Sequence, residues 1–141
     1  MNIELYLPKK VLECAPIFID SGISAGFPSP ADDFLHQKLS LDEKLVQHKE
    51  ATFYARVKGE SMINAGLDDG DLLVIDRSLP PLNNHIAICY LDNEFTVKRL
   101  EIKGTKITLV PENDKYSKIE ITEANELIIW GIVTYVIKKV N

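Results

Sequence analysis

From residue 52 to its end, the 141-residue chain is a succession of short runs with β character. The runs are TFYARV, DLLVID, HIAICYL, EFTVKRLEI, TKITLVP and LIIWGIVTYVIKK. Val, Ile, Thr and aromatic residues dominate them, and turn-forming pairs such as Asp69-Gly70 and Lys103-Gly104 separate them. This pattern predicts a mostly β protein with a compact folded-over sheet.

The first 40 residues have a different character. Proline fixes the φ angle and has no N–H group, so a proline-rich stretch forms neither a long helix nor a central strand. We therefore predict an extended N-terminal arm at residues 1–40 and a β-rich domain at residues 41–141. The prolines that interrupt the arm are Pro8, Pro16, Pro28 and Pro30.

One short helix is predicted where the arm meets the β-rich part. In SLDEKLVQH, Ser40 is followed three positions later by Glu43, which is the pattern of a capping box. We expect Leu41, Leu45 and Val46 to face inward from this helix.

Composition excludes several classes of protein. The net charge is −5 and the pI about 5.2, which argues against a general affinity for DNA or anionic membranes but not against a DNA-binding protein partner. Cys14 and Cys89 form no CxxC pair, so we predict no metal site and no cofactor, and a buried inert thiol at Cys89. No apolar run reaches the length of a membrane span and the N-terminus does not resemble a secretory signal, so we expect a cytoplasmic protein.

Ser61, in VKGESMIN, is a candidate nucleophile if a base lies within hydrogen-bond reach. The chain has three histidines, and the surroundings of His36, His48 and His85 are typical of surface or turn residues rather than of a base. Lys98, in EFTVKRL, is the remaining candidate, although strand periodicity alone favours a solvent-facing lysine there.

Three features in this order resemble the self-cleaving domain of the LexA-like serine peptidases. Ser61-Met62 matches the nucleophile motif, DGDLLVID follows it, and Lys98 lies 37 residues after Ser61, as the catalytic lysine of the family does. The resemblance implies a LexA-like peptidase fold, with Ser61 as nucleophile and Lys98 as general base. We expect the backbone N–H groups of Glu60 and Ser61 to hold the oxyanion, and Met62 to pack beneath the serine.

From about Gly22 onward, the chain resembles the UmuD-like branch of this family, accessory subunits of error-prone DNA polymerases. Too few residues precede the segment AGFPSPADD, at 25–33, for the helix-turn-helix domain of a LexA-type repressor. The resemblance implies autocatalytic cleavage of the Ala25–Gly26 bond, stimulated by a RecA–single-stranded DNA filament in the SOS response. It also implies a homodimer that joins a UmuC-like catalytic subunit for translesion synthesis.

One departure and three alternatives accompany this interpretation. Asn83-Asn84-His85 stands where the family commonly has Gly-Asp, in a turn whose geometry shapes the cleft. The chain could instead be a non-catalytic binding module in which Ser61 and Lys98 are structural, or a fragment of a LexA-like transcriptional repressor. A signal-peptidase-like enzyme acting on other proteins would be expected to carry a membrane anchor.

Overall fold

The computed structural model describes residues 2–8 and 38–141. The chain divides into two compact units, one made of residues 1–8 and 48–141, the other of residues 9–47. The residues singled out between positions 9 and 37, among them Cys14, Ala25, Gly26 and His36, lie outside the described residues, and the arm boundary predicted at residue 40 stays a prediction.

The larger unit is built on one eight-stranded antiparallel sheet, so the prediction of a mostly β fold is confirmed. All six runs named above form strands. In spatial order the sheet reads β1-β2-β3-β8-β4-β5-β6-β7. The strands are β1 (Asn2–Tyr6), β2 (Thr52–Lys58), β3 (Leu72–Asp76), β4 (Ile86–Leu91), β5 (Glu94–Lys103), β6 (Lys106–Val110), β7 (Ile119–Glu120) and β8 (Leu127–Ile137).

Strand β8 joins the two halves of the sheet. Its first half pairs with β4, and its second half pairs with β3. The register shifts once in each pairing, which leaves Trp130 and Thr134 without a direct cross-strand partner. Bulges of this kind bend a strand and increase its twist. The sheet therefore curls, and β1 comes into contact with β5.

The two faces of the sheet bury separate apolar clusters, because successive side chains of a strand point to opposite faces. The first cluster is centred on Val57, Met62, Leu73, Ile75, Ile88 and Val97. The second is centred on Ala87, Cys89, Leu100, Leu109 and Ile132. Together the clusters hold β2, β3, β4 and β5 in the positions from which the candidate site is built.

Strand β1 is an edge strand that the sequence analysis assigned to the arm. It pairs with β2 over five residues, from Asn2 opposite Lys58 to Tyr6 opposite Tyr54. Ile3 packs against the first cluster, and Glu4 forms an ion pair with Lys58. The start of the chain is thus part of the sheet.

The predicted helix is confirmed but is shorter than SLDEKLVQH. Helix α1 spans Leu41–Leu45, and the Ser40 side chain caps it by accepting a hydrogen bond from the Glu43 N–H at 3.5 Å. The expectation for Leu41 is wrong, because its side chain is exposed, whereas Leu45 and Val46 are partly buried. Leu41 and Leu45 are four residues apart and share a face of the helix, so the difference lies in position along the axis: the first turn leaves Leu41 uncovered.

Candidate active site

Ser61 lies in a tight turn at residues 59–66, the Ser61 turn, which follows the end of β2. Gly59 begins the turn with a φ of 104°, a conformation that residues with a Cβ rarely adopt. The Gly59 N–H donates to the Asp69 carboxylate at 2.8 Å. Gly66 ends the turn in the left-handed region and donates its N–H to the Ile63 carbonyl. The local sequence thus reverses the chain immediately around Ser61.

The Ser61 side chain is enclosed by the protein. Ser61 is 1% exposed, and Met62 beside it is fully buried in the first apolar cluster. The expectation that Met62 packs rather than reacts is consistent with this position. Met62 also accepts backbone hydrogen bonds from Ala65 and Leu67, which hold the turn closed.

Lys98 approaches Ser61 from β5. It is opposite Ala87 in the β4–β5 pairing, on the face that buries Cys89 and Leu100, and it is 6% exposed. Its Nζ lies 3.4 Å from Ser61 Oγ. Among the described residues, Lys98 is the only side chain that hydrogen-bonds the Ser61 hydroxyl. The structure therefore brings together the two residues that the sequence paired.

Two further acceptors hold the Lys98 amine. Its Nζ donates to Thr96 Oγ1 at 2.8 Å and to the Val97 carbonyl at 3.1 Å. Thr96 and Lys98 are two residues apart on one strand, so their side chains share a face. Thr96 was not among the predicted site residues, although EFTVKRL places it in the same alternation as Lys98.

Burial favours the neutral form of the Lys98 amine over the charged form. Desolvation lowers the pKa of Lys98 below its ordinary value of 10.5, and the neighbouring Cys89 opposes this in a minor way. The same burial raises the pKa of the Cys89 thiol to about 12, which confirms the prediction of an inert buried thiol. A lowered pKa increases the fraction of lysine that is neutral at a given pH. The neutral amine is the form that can accept a proton from a serine hydroxyl.

A family model described as Peptidase S24-like matches residues 16–134. The chain belongs to this family. The family comprises serine peptidases of the LexA and UmuD type, so the resemblance noted in the sequence is confirmed, as is the LexA-like character of the fold.

Individual relatives in the S24 family match most of the chain. Protein MucA of Salmonella typhimurium is 45% identical over 114 residues, which cover 80% of this chain and 77% of MucA. Protein SamA of Salmonella typhimurium strain LT2 is 41% identical over 129 residues, covering 92% and 89%. The LexA repressor of Aeromonas hydrophila is 35% identical over 120 residues, covering 84% of this chain and 58% of the repressor.

The described histidines of this S24 chain are engaged away from Ser61. His48 Nδ1 lies 2.6 Å from Asp76 Oδ2, and Ser78 donates to the other oxygen of the same carboxylate. Burial raises the pKa of Asp76, but the hydrogen bonds from Ser78 and His48 outweigh it and hold this pKa below its ordinary value. His85 Nδ1 accepts the Leu82 N–H at 3.2 Å. These histidines fit the predicted structural roles.

The turn at Asn83-Asn84-His85 continues the β4–β5 ladder. Asn84 has a positive φ of 72°, which asparagine tolerates better than most residues. Its N–H donates to the Leu100 carbonyl, and the Asn83 side chain accepts from the Ile102 N–H at 2.8 Å. Asn83 and Asn84 thus build an ordered turn that is bonded to β5.

A loop after β6 also reaches the Ser61 turn. We call residues 111–115 the Asn113 loop. Asn113 is 7% exposed, and its Nδ2 donates to the Glu60 carbonyl at 2.8 Å. This contact was not predicted, because the segment LVPENDK has only the pattern of a polar loop after a strand.

The described residues show neither a metal-binding cluster nor a membrane-spanning helix. Residues 2–8 and 38–141 contain no cluster of three or more His, Cys, Asp or Glu side chains arranged to hold a metal ion. The same ranges contain no helix of the length and apolar character needed to cross a membrane.

Proposed function

We propose that this chain is a self-cleaving serine peptidase in which Ser61 and Lys98 hydrolyse the chain's own Ala25–Gly26 bond. The observation that carries the proposal is the buried Lys98 amine, 3.4 Å from the Ser61 hydroxyl, which is buried as well. Membership of the S24 family supports it, since a buried Ser/Lys pair within hydrogen-bond reach is what nucleophilic catalysis by serine requires.

The three hydrogen bonds of the Lys98 amine define its two protonation states. As an ammonium it donates to Ser61, Thr96 and Val97 together. As a neutral amine it has two N–H donors and one lone pair. Thr96 and Val97 then take the two donors, and the lone pair faces the Ser61 hydroxyl. In the neutral state the Ser61 hydroxyl therefore donates to Lys98, which is the orientation needed for proton transfer.

Cleavage then proceeds in two stages. The Ser61 proton moves to the Lys98 amine as Ser61 Oγ bonds to the Ala25 carbonyl carbon. The tetrahedral intermediate collapses, the C–N bond breaks, and Lys98 gives its proton to the Gly26 nitrogen. Water then attacks the acyl-Ser61 ester with Lys98 as base, and the carboxyl group of Ala25 and the Ser61 hydroxyl are released.

The negative charge on the intermediate needs hydrogen-bond donors. We assign this role to the backbone N–H groups of Glu60 and Ser61. Within the described ranges neither N–H donates a hydrogen bond to another residue, which supports the assignment. Backbone donors fixed in a tight turn are suited to this role, because they need no reorganisation when charge develops.

The biological role that we propose is regulation of SOS mutagenesis in the cytoplasm. The similarity to UmuD-like proteins over most of the chain supports a homodimer that loses residues 1–25 and then serves a UmuC-like catalytic subunit in translesion synthesis. A RecA–single-stranded DNA filament stimulates the cut by favouring the conformation in which the arm reaches Ser61. The net charge of −5 agrees with a role that depends on protein partners rather than on direct DNA binding.

The proposal is tested by incubating the purified chain from about pH 7 to 10 and measuring its mass over time. We expect slow loss of residues 1–25. The rate should rise with pH, because burial lowers the pKa of Lys98 below 10.5 and the neutral fraction grows across this range. Adding RecA filament should accelerate the loss.

Four variants sharpen this test. Ser61→Ala and Lys98→Ala should both remain whole. Ser78→Ala removes a serine that is bonded to Asp76, and Lys106→Ala removes an exposed lysine, so both should cut like the wild type. If Ser61→Ala and Lys98→Ala lose residues 1–25 at the wild-type rate, the proposed function is refuted.

A further inference from the structure

The Asn113 loop forms hydrogen bonds with the Ser61 turn on both sides of Ser61. On one side, the Asn113 side chain donates to the Glu60 carbonyl at 2.8 Å. On the other, the Asn64 N–H donates to the Glu112 carbonyl at 2.8 Å. The loop and the turn are far apart in sequence, so these two bonds fix the turn from outside.

The Asn113 amide is satisfied at both ends. Its Nδ2 donates to Glu60, and its Oδ1 accepts the Lys115 N–H at 3.0 Å. Because Asn113 is only 7% exposed, water is a poor substitute for either partner. A buried amide with both groups engaged holds one orientation, and its partner at Glu60 is held with it.

The bond to Glu60 determines where the Ser61 N–H points. The Glu60 carbonyl and the Ser61 N–H belong to one peptide group, which is planar and trans, so the two point in opposite directions. Fixing the carbonyl on Asn113 therefore aims the N–H away from the Asn113 loop. This N–H is one of the two donors assigned above to the oxyanion.

The same loop is attached to the strand that carries Lys98. Arg99, the next residue of β5, places its Nε 2.5 Å from Glu112 Oε1, and its Nη1 donates to the Asn84 carbonyl at 2.7 Å. Both Arg99 and Glu112 are partly buried. The Asn113 loop thus contacts both the Ser61 turn and the strand that carries Lys98, and it fixes the position of one relative to the other.

We propose that Asn113 is a positioning residue for self-cleavage: through the Glu60 carbonyl it orients the Ser61 peptide group so that its N–H meets the developing oxyanion. Asn113 touches neither Ser61 Oγ nor Lys98 Nζ, so it acts through Glu60. This inference rests on the proposed function, but it also makes a statement about the order of the Ser61 turn that can be measured without cleavage.

Asn113→Asp tests the inference with the smallest change of shape. The aspartate keeps an acceptor for the Lys115 N–H but has no N–H to offer the Glu60 carbonyl. We expect the cleavage rate on the high-pH plateau to fall about 10-fold to 100-fold, the usual cost of misplacing a reacting group. Asn125→Asp is the matched control, since Asn125 also uses its amide to hold a turn, between Thr122 and Asp92.

The pH profile separates positioning from general loosening. Loss of orientation lowers the plateau, where Lys98 is neutral in both chains. Water admitted to Lys98, or the new carboxylate at position 113, favours the ammonium form and moves only the midpoint upward. An Asn113→Asp chain whose plateau rate equals that of Asn125→Asp overturns the inference, whether or not its midpoint moves.

Amide hydrogen exchange gives the readout that does not need cleavage. In Asn113→Asp, the amides of Ile63 and Asn64 should exchange faster, while those of β4 and β5 keep their wild-type protection. Unchanged exchange at these two amides also overturns the inference. If the wild-type chain itself never cuts, the proposed function fails, and the exchange result alone decides whether Asn113 orders the turn.

Discussion

A lysine amine away from water carries a free-energy cost that its surroundings must offset. Lys98 meets three oxygen acceptors, those of Ser61, Thr96 and Val97, but no carboxylate pairs with it among the residues described. Hydrogen bonds without a counter-ion compensate only part of the cost of burying a charge. The amine is therefore held in a site that disfavours its charged form, which is the property that a base needs at moderate pH.

This cost should appear in the free energy of unfolding. Because burial lowers the folded-state pKa of Lys98 below 10.5, the penalty is fully present below the folded pKa and disappears as pH rises toward 10.5. We expect Lys98→Met to be more stable than the wild type at neutral pH, with a difference that shrinks as pH rises.

Urea unfolding of both chains at several pH values measures this difference. The raised pKa of Cys89, about 12 against an ordinary 9.0, lowers the stability of both chains above pH 9 and so affects the comparison little. A difference between the two chains that is constant with pH would contradict the assigned burial of the amine.

Strand β8 can pair with two strands in turn because one of its residues is a glycine. A Cβ at Gly131 would stand 2.5 Å from Ile75 Cγ2 and 3.3 Å from Arg77 Cγ. Real side-chain atoms do not approach so closely, and Ile75 is stiff because it branches at Cβ. The close approach of β8 to β3 therefore requires a residue without a side chain at this position.

Gly131→Ala should destabilise the protein by about 1–3 kcal/mol, the usual cost of overpacking a core. Ile75→Leu moves the branch away from Cβ and removes the clashing Cγ2 atom. The double variant Gly131→Ala with Ile75→Leu should thus recover part of the loss, as a cycle of four unfolding measurements would reveal. Strict additivity of the two single changes would show that the clash is not the cause.

The elements that the sequence predicted are those whose own pattern is strong. The β4 and β5 segments, HIAICYL and EFTVKRLEI, are rich in β-forming residues, and the turn between them at Asp92-Asn93 has the positive φ angles of a tight hairpin. Two short strands were missed. NIELY pairs only because β2 offers an open edge, and the two residues of β7 have no pattern of their own.

Across the whole molecule, the candidate site depends on the curl of the sheet. Three strands separate β2, which leads into Ser61, from β5, which carries Lys98. The sequence paired the two residues through motif resemblance, not through periodicity, which favoured a solvent-facing lysine. Thr96 and Asn113 escaped prediction for the same reason, since their roles follow from contacts that no local pattern encodes.

Because β1 pairs with β2, cleavage of the Ala25–Gly26 bond does not by itself release the N-terminal peptide. If the chain is cut after Ala25, residues 2–6 are no longer tethered through the arm, yet their hydrogen bonds to β2 and the contact of Ile3 with the core remain. The severed peptide then behaves as a bound ligand, so its departure depends on concentration.

Size-exclusion chromatography of the cut protein, followed by mass measurement, should find the peptide co-eluting at high concentration and lost on dilution. Ile3→Asp should release it even when concentrated, whereas Leu7→Asp, at a side chain that is 70% exposed, should not. Immediate release from the wild type would argue against retention. Once the peptide departs, β2 becomes an exposed edge strand, able to pair with a strand from another molecule.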